Sequence, residues 1–155
     1  MKNLDAIIRA NVRIIWQTGT ADFADIKNVC AKYLPSSMWV NSFIDRMDFA
    51  YALSDVVVCR SGATTIAELT RLGKPAILIP YPHAADDHQT HNAQMLVEAG
   101  AAKLVRDSEA ESQLFETLMS LLNDDTSLHG MSKANKNLGK PNAAHEIAQR
   151  LMKIS

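Results

Sequence analysis

Residues 55–100 read DVVVCRSGATTIAELTRLGKPAILIPYPHAADDHQTHNAQMLVEAG, and their pattern decides the fold. A short β-branched run, Val56 to Val58, ends in Cys59, Arg60, Ser61 and Gly62, and an amphipathic segment follows at once. Gly73, Lys74 and Pro75 turn the chain into a second apolar run, Ala76 to Pro80. A polar loop rich in His and Asp comes next, then another helical segment that stops at Gly100. Two short apolar runs, each followed by a helical period, predict a βαβα unit with parallel strands. Ligands of such sheets bind beyond the carboxyl ends of the strands. Both loops with chemical content, Arg60 to Thr65 and Tyr81 to His91, start at that edge, and a site is expected there.

The flanks extend the same class. Met1 to Ala10 places Leu4, Ile7 and Ile8 on one helical face, and Val12 to Trp16 reads as a strand ending in Gln17, Thr18, Gly19 and Thr20. Asp22 to Tyr33 is a helix with Phe23, Ile26, Val29 and Cys30 inward, and Pro35 stops it. Met38 to Val40 is a weak strand, residues 41–47 a connecting loop, and Met47 to Leu53 a short helix. After Gly62 a helix over Thr64 to Leu72 buries Ile66, Leu69 and Leu72, and Gly73 suits a left-handed C′ position. Gln89 to Ala99 is a helix with Ala93, Leu96 and Val97 inward, and Ala102 to Val105 is a last strand.

Helices over Glu111 to Leu122, over Asp124 to Asn137 and from Pro141 onward then close on the sheet. In the last of them Ala144, Ile147, Ala148 and Leu151 form the inner stripe. The expected fold is α/β, a Rossmann-like parallel sheet flanked by helices, with a core over about 1–105 and closing helices over about 106–155. Such a sheet ordinarily opens on a strand and a tight loop. A helix stands first here, which predicts that the chain is the back part of something longer, without its first strand and Gly-rich loop.

The chain has 155 residues, enough for one domain with a sizeable core. Sixteen basic against 17 acidic residues give a formal charge of −1, which offers no basic stripe for nucleic acid. Cys30 and Cys59 lie far apart, and a reduced compartment without a disulfide fits them better than a bridge. No apolar run reaches the ~18 residues of a bilayer-spanning helix, and no signal peptide precedes the fold. Peripheral contact with a membrane stays open.

The segment Cys59 to Thr65 joins a strand end to a helix start, where free backbone N–H groups and the helix dipole attract an anion. Small residues let a phosphate approach closely, and the hydroxyls of Ser61, Thr64 and Thr65 are further donors. The plainer alternative is that Ser61 or Thr64 caps the helix while Gly62 relieves crowding. The spacing fits neither a Walker A loop nor a GxGxxG fingerprint. Glu68, one turn on, suits either complementarity to the dipole or hydrogen bonding to a vicinal diol such as ribose.

His83, Asp86, Asp87, His88 and His91 form a dense polar cluster without metal-site spacing, so no metal is expected. Asp86 or Asp87 as a helix cap, or Asp86, Gln89 and Asn92 as sugar-hydroxyl partners, are the readings that remain. A nucleophilic triad lacks its GxSxG elbow. Ile44 to Met47 reads as a loop near the same edge, anchored by Ile44 and Met47, on which a flat base can stack.

Taken together, residues 41–47 (NSFIDRM), 52–63 (ALSDVVVCRSGA), 65–69 (TIAEL), 73–82 (GKPAILIPYP) and 86–93 (DDHQTHNA) closely resemble the C-terminal domain of the MurG family. These are the bacterial N-acetylglucosamine transferases of peptidoglycan synthesis, in glycosyltransferase family 28. The resemblance covers nearly the whole chain and implies one half of a GT-B fold. It implies inverting transfer of N-acetylglucosamine from UDP-N-acetylglucosamine to undecaprenyl-pyrophosphoryl-N-acetylmuramyl-pentapeptide, with no metal or other cofactor required in the site.

On that resemblance, the backbone of Ile44 reads uracil with Met47 beside the nucleotide. Gly62, Ala63, Thr64 and Thr65 face the diphosphate, and Glu68 holds the ribose diol. His88 and Gln89 face the sugar hydroxyls, and Asn92 follows in the same motif. Arg60 matches the family's arginine after the buried strand, with loop structure and ligand contact both open. His88 stands where some relatives carry glutamine, which changes the geometry of hydrogen bonding.

The resemblance assigns the lipid-linked acceptor, the membrane surface and the catalytic base to an N-terminal domain. The full-length enzyme is then expected on the cytoplasmic face of the bacterial inner membrane, bound peripherally. This chain by itself is expected to be soluble, to bind donor and to turn over negligibly. A donor-binding subunit that works with a separate acceptor-binding partner, or a transferase or epimerase acting on another UDP-sugar, are the competing readings.

Overall fold

The structure, a computed structural model, describes residues 3–153. It divides into two compact units, 1–53 and 54–155.

The first unit carries α1 (Leu4–Arg9), β1 (Ile14–Gln17), α2 (Phe23–Cys30), β2 (Met38–Asn41) and α3 (Met47–Leu53). Met1 and Lys2, which the sequence places in the first helix, lie outside the described residues. β1 and β2 are parallel, with Ile14 opposite Met38 and Gln17 opposite Asn41. Leu4, Cys30, Met38 and Val40 form the core, and Phe23, Ile26 and Trp16 pack on it half-buried. Val29, expected inward, is exposed: α2 turns Cys30 to the core, and Val29 falls beside that stripe.

The second unit carries β3 (Val57–Cys59), α4 (Ala63–Leu72), β4 (Ala76–Leu78), α5 (His88–Glu98) and β5 (Ala102–Leu104). Three helices follow: α6 (Ala110–Leu122), α7 (Asp125–Leu138) and α8 (Ala143–Met152). The strands are parallel in the order β3-β4-β5. The βαβα expectation is therefore met, with one refinement. β4 is central and all three of its residues are buried, whereas β3 lies at the edge of its sheet and leaves Val58 exposed. Both cysteines are free thiols.

Against this sheet α6 and α7 do close the core, which joins Ile77 and Val105 to Leu121 and Met131. α8 does not. None of its described residues is buried, and Ile147 and Leu151 are 59% and 61% exposed. Its apolar stripe is real, but periodicity reveals which face seeks burial and not what covers it.

α4 positions the expected phosphate loop, and its packing departs from the sequence reading in one place. Ile66 and Leu69 are buried, but Leu72 is 45% exposed and Thr70 is buried in its stead. The hydroxyl of Thr70 donates to the Ile66 carbonyl at 2.8 Å, so it enters the apolar layer without an unmet polar group. Gly73 ends the helix at φ 68°, as expected of a left-handed cap. Val97 of α5, expected inward, is also exposed, while Ala93 and Leu96 are fully buried. Among the described residues no helix is long and apolar enough to cross a membrane.

Candidate functional site

The carboxyl ends of β3 and β4 open into the two loops that the sequence singles out, and hydrogen bonds stitch those loops together. The buried hydroxyl of Ser61 donates to the Gln89 carbonyl at 2.7 Å. The Asn92 amide nitrogen donates to the Ser61 carbonyl at 3.0 Å. The Tyr81 backbone N–H donates to Gln89 Oε1 at 3.0 Å. Ser61 and Asn92 therefore act as ties between loops. The alternative in which Ser61 caps α4 falls, because Gly62 is the N-cap and no side chain accepts from the helix start.

The start of α4 is unusually bare. Gly62 is the N-cap, no side chain caps the helix, and its first turn holds no acidic residue. A Cβ built on Gly62 meets nothing within 4 Å, and its φ of −67° is open to any residue. Crowding within the chain does not explain the glycine, so that alternative also falls. What the missing side chain leaves is open space in front of the first-turn N–H groups of Ala63, Thr64 and Thr65.

Glu68, half-buried, lies one turn into α4. Its carboxylate reaches Cys59 electrostatically. Burial, and after it the charge of Glu68, pushes the Cys59 thiol up from 9.0 to about 12. A thiol held protonated in this way is no nucleophile at neutral pH.

His88 opens α5 and Gln89 follows it. The His88 Nδ1 lies 2.6 Å from the Ala85 carbonyl, so this nitrogen donates and Nε2 is the one turned to other partners. Gln89 has Oε1 taken by Tyr81, which leaves its NH₂ group to donate. Asp86 and Asp87 both adopt positive φ, 49° and 51°. Asp87 is the N-cap of α5 by position, but its carboxylate accepts from the Thr90 hydroxyl at 2.6 Å and not from a backbone N–H. Among the described residues no three His, Cys, Asp or Glu side chains stand close enough to hold a metal ion.

Arg60 is engaged inside the fold. Its Nη1 donates to Asp107 at 2.6 Å and to the carbonyls of Ile79 and Pro80 at 3.2 and 3.1 Å. Sequence reasoning gave no role to Asp107, which sits in a 3₁₀ turn after β5. A lone acidic residue beyond a strand carries no motif to find.

Ile44 and Met47 belong to the first unit. The Ile44 N–H donates to Gln17 Oε1 at 2.9 Å, and Met47 is the first residue of α3. Gln17 was also missed, although it ends β1 directly opposite Asn41. A polar residue closing a strand at the carboxyl edge was the available signal.

Comparison with known proteins bears on the whole of this arrangement. A 43% identical stretch of 150 residues is found in the UDP-N-acetylglucosamine–N-acetylmuramyl-(pentapeptide) pyrophosphoryl-undecaprenol N-acetylglucosamine transferase of Chlorobaculum parvum. It covers 96% of this chain and 40% of that protein. The transferase of the same name from Flavobacterium psychrophilum is 42% identical over 153 residues, 99% of this chain and 41% of that protein. Among solved structures, MurG of Acinetobacter baumannii superposes with a TM-score of 0.79 at 31% identity, over 91% of this chain and 43% of that one.

The chain thus spans about two-fifths of the length of these relatives. Its parallel sheets and flanking helices are those of one half of a GT-B fold. The family model of the glycosyltransferase family 28 C-terminal domain matches residues 1–150. A match of that extent takes in every strand and both loops at the carboxyl edge, and the chain belongs to the family of glycosyltransferase family 28 C-terminal domains.

Proposed function

We propose that this chain binds UDP-N-acetylglucosamine and supplies the donor half of an inverting N-acetylglucosamine transfer to a lipid-linked muramyl-pentapeptide in peptidoglycan synthesis. The observation that carries the reading is the start of α4. It is uncapped by any side chain, free of acidic residues in its first turn, and fronted by a glycine whose absent side chain leaves open space. That is the arrangement a diphosphate needs. Relatives at 41–43% identity named for this transfer support the choice of donor.

The chemistry follows from the geometry. As the sugar leaves UDP, negative charge grows on the diphosphate, and preorganised N–H dipoles at Ala63, Thr64 and Thr65 stabilise it. Glu68 accepts from the ribose hydroxyls and fixes the nucleoside end. His88 through Nε2 and the Gln89 NH₂ group meet sugar hydroxyls with opposite polarity, one accepting and one donating. The acceptor and the base that deprotonates it belong to the part of the relatives that this chain does not match, at the inner membrane surface. Turnover by this chain alone is then negligible.

Titration calorimetry with UDP and with UDP-N-acetylglucosamine tests the reading. Saturable binding of both is expected, with the sugar adding affinity; heat from neither would contradict it.

A further inference from the structure

The carboxyl edge holds a second bonded cluster beside the helix start, built on Arg60 and Asp107. One guanidinium nitrogen from the end of β3 donates to Asp107 beyond β5 and to the Ile79 and Pro80 carbonyls beyond β4. The same guanidinium lies over the Tyr81 ring at 5.6 Å, within cation–π range. The bonding continues along the β4–α5 loop. The Tyr81 N–H donates to the Gln89 carboxamide at 3.0 Å, and the Tyr81 carbonyl accepts from Ala84 at 3.2 Å. A line of direct contacts therefore leads from Asp107 to the first turn of α5, where His88 and Gln89 stand.

We propose that Asp107 is a positioning residue for the sugar half of the donor: it turns Arg60 onto the Ile79 and Pro80 carbonyls, and Arg60 in turn holds Tyr81, Gln89 and the start of α5. The inference rests on the reading of this edge as a UDP-sugar site. Two considerations favour it over a stabilising role. The Arg60 and Asp107 side chains are 48% and 40% exposed, and ion pairs so exposed add little to stability. Yet their partners are the loop backbone, so losing the pair frees orientation more than it frees energy. Asp107 balances the guanidinium charge and keeps Nη1 on the two loop carbonyls.

The diphosphate contacts are on α4, outside this line, so the consequence is selective. In Asp107→Ala, calorimetry should show UDP affinity within about twofold of the parent chain. UDP-N-acetylglucosamine should weaken about three- to fivefold, the range one exposed ion pair supplies. Arg60→Ala, which removes the nitrogen that makes all three bonds, should reproduce the split. Amide hydrogen exchange gives a second readout that needs no ligand: residues 80–92 should exchange faster in both variants while residues 62–72 do not. Equal losses for the two ligands, an unchanged UDP-sugar affinity, or unchanged exchange over 80–92 would each overturn the proposal. Failure of the parent chain to bind UDP would instead refute the donor-site reading, and the exchange experiment would then judge the clamp alone.

Discussion

Glu68 shows what a single carboxylate contributes when its surroundings are fixed by others. It stands a turn inside α4, half-buried, and close enough to Cys59 to raise the thiol. If it accepts hydrogen bonds from a ribose diol, Glu68→Ala should weaken UDP about tenfold or more, the usual worth of bonds to a charged acceptor. A nucleotide without ribose hydroxyls should lose less than about twofold on the same scale, and equal losses in competition binding would exclude the diol. Gly62→Ala separates ligand approach from folding. The added methyl meets no protein atom within 4 Å, so stability should fall only by the roughly 1 kcal/mol that alanine costs at an N-cap. UDP affinity should fall at least about fivefold because the methyl enters the phosphate's space.

Cys59 carries a pH signature with a defined sign. Its folded pKa is raised, so the contribution of the protonated thiol is fully present below its ordinary value of 9.0 and is lost as pH rises toward about 12. Over that window, urea midpoints should fall less steeply in Cys59→Ala than in the parent chain; identical slopes would remove Cys59 from the account.

The elements that aim the site are held from behind. α4 meets α7 so closely that a Cβ on Gly139, just past α7, would lie 2.7 Å from the Thr70 carbonyl oxygen. Neither backbone can yield cheaply, and Gly139→Ala should cost about 1–3 kcal/mol in urea unfolding. Asn135 of α7 is fully buried, and its amide nitrogen reaches the carbonyls of Lys74 and Ala101 at 3.1 and 2.6 Å. It thereby pins α7 to the residues leading into β4 and β5. Asn135→Ala leaves those carbonyls unmet and should cost about 2–4 kcal/mol, read from the same transition.

At this scale the sequence was most informative where one force acts alone. The run from Met47 to Leu53 is a helix with the expected ends, and Gly73 is the left-handed cap that its place before Lys74-Pro75 demands. It was least informative where two forces compete. Thr70 displaces Leu72 from the buried face of α4 because its hydroxyl satisfies itself within the helix and its backbone fits against Gly139. Asn135 looks like a surface residue on a polar helix until its partners two strands away are known.

Across the whole chain, the carboxyl-edge rule of parallel sheets makes both informative loops legible in the sequence. Small residues after a β-branched run are visible in one dimension. What they bond to is not. Ser61 commits its hydroxyl to Gln89, Arg60 finds Asp107 47 positions away, and Gln17 meets Ile44 across 27.

A uridine diphosphate sugar bound as proposed aims its negative charge at the start of α4. Amide NMR of the chain titrated with UDP addresses it residue by residue. The N–H signals of Gly62, Ala63, Thr64 and Thr65 should shift most, and saturably. Saturation with those four signals unmoved, or with the largest shifts along α6 and α7, would contradict it.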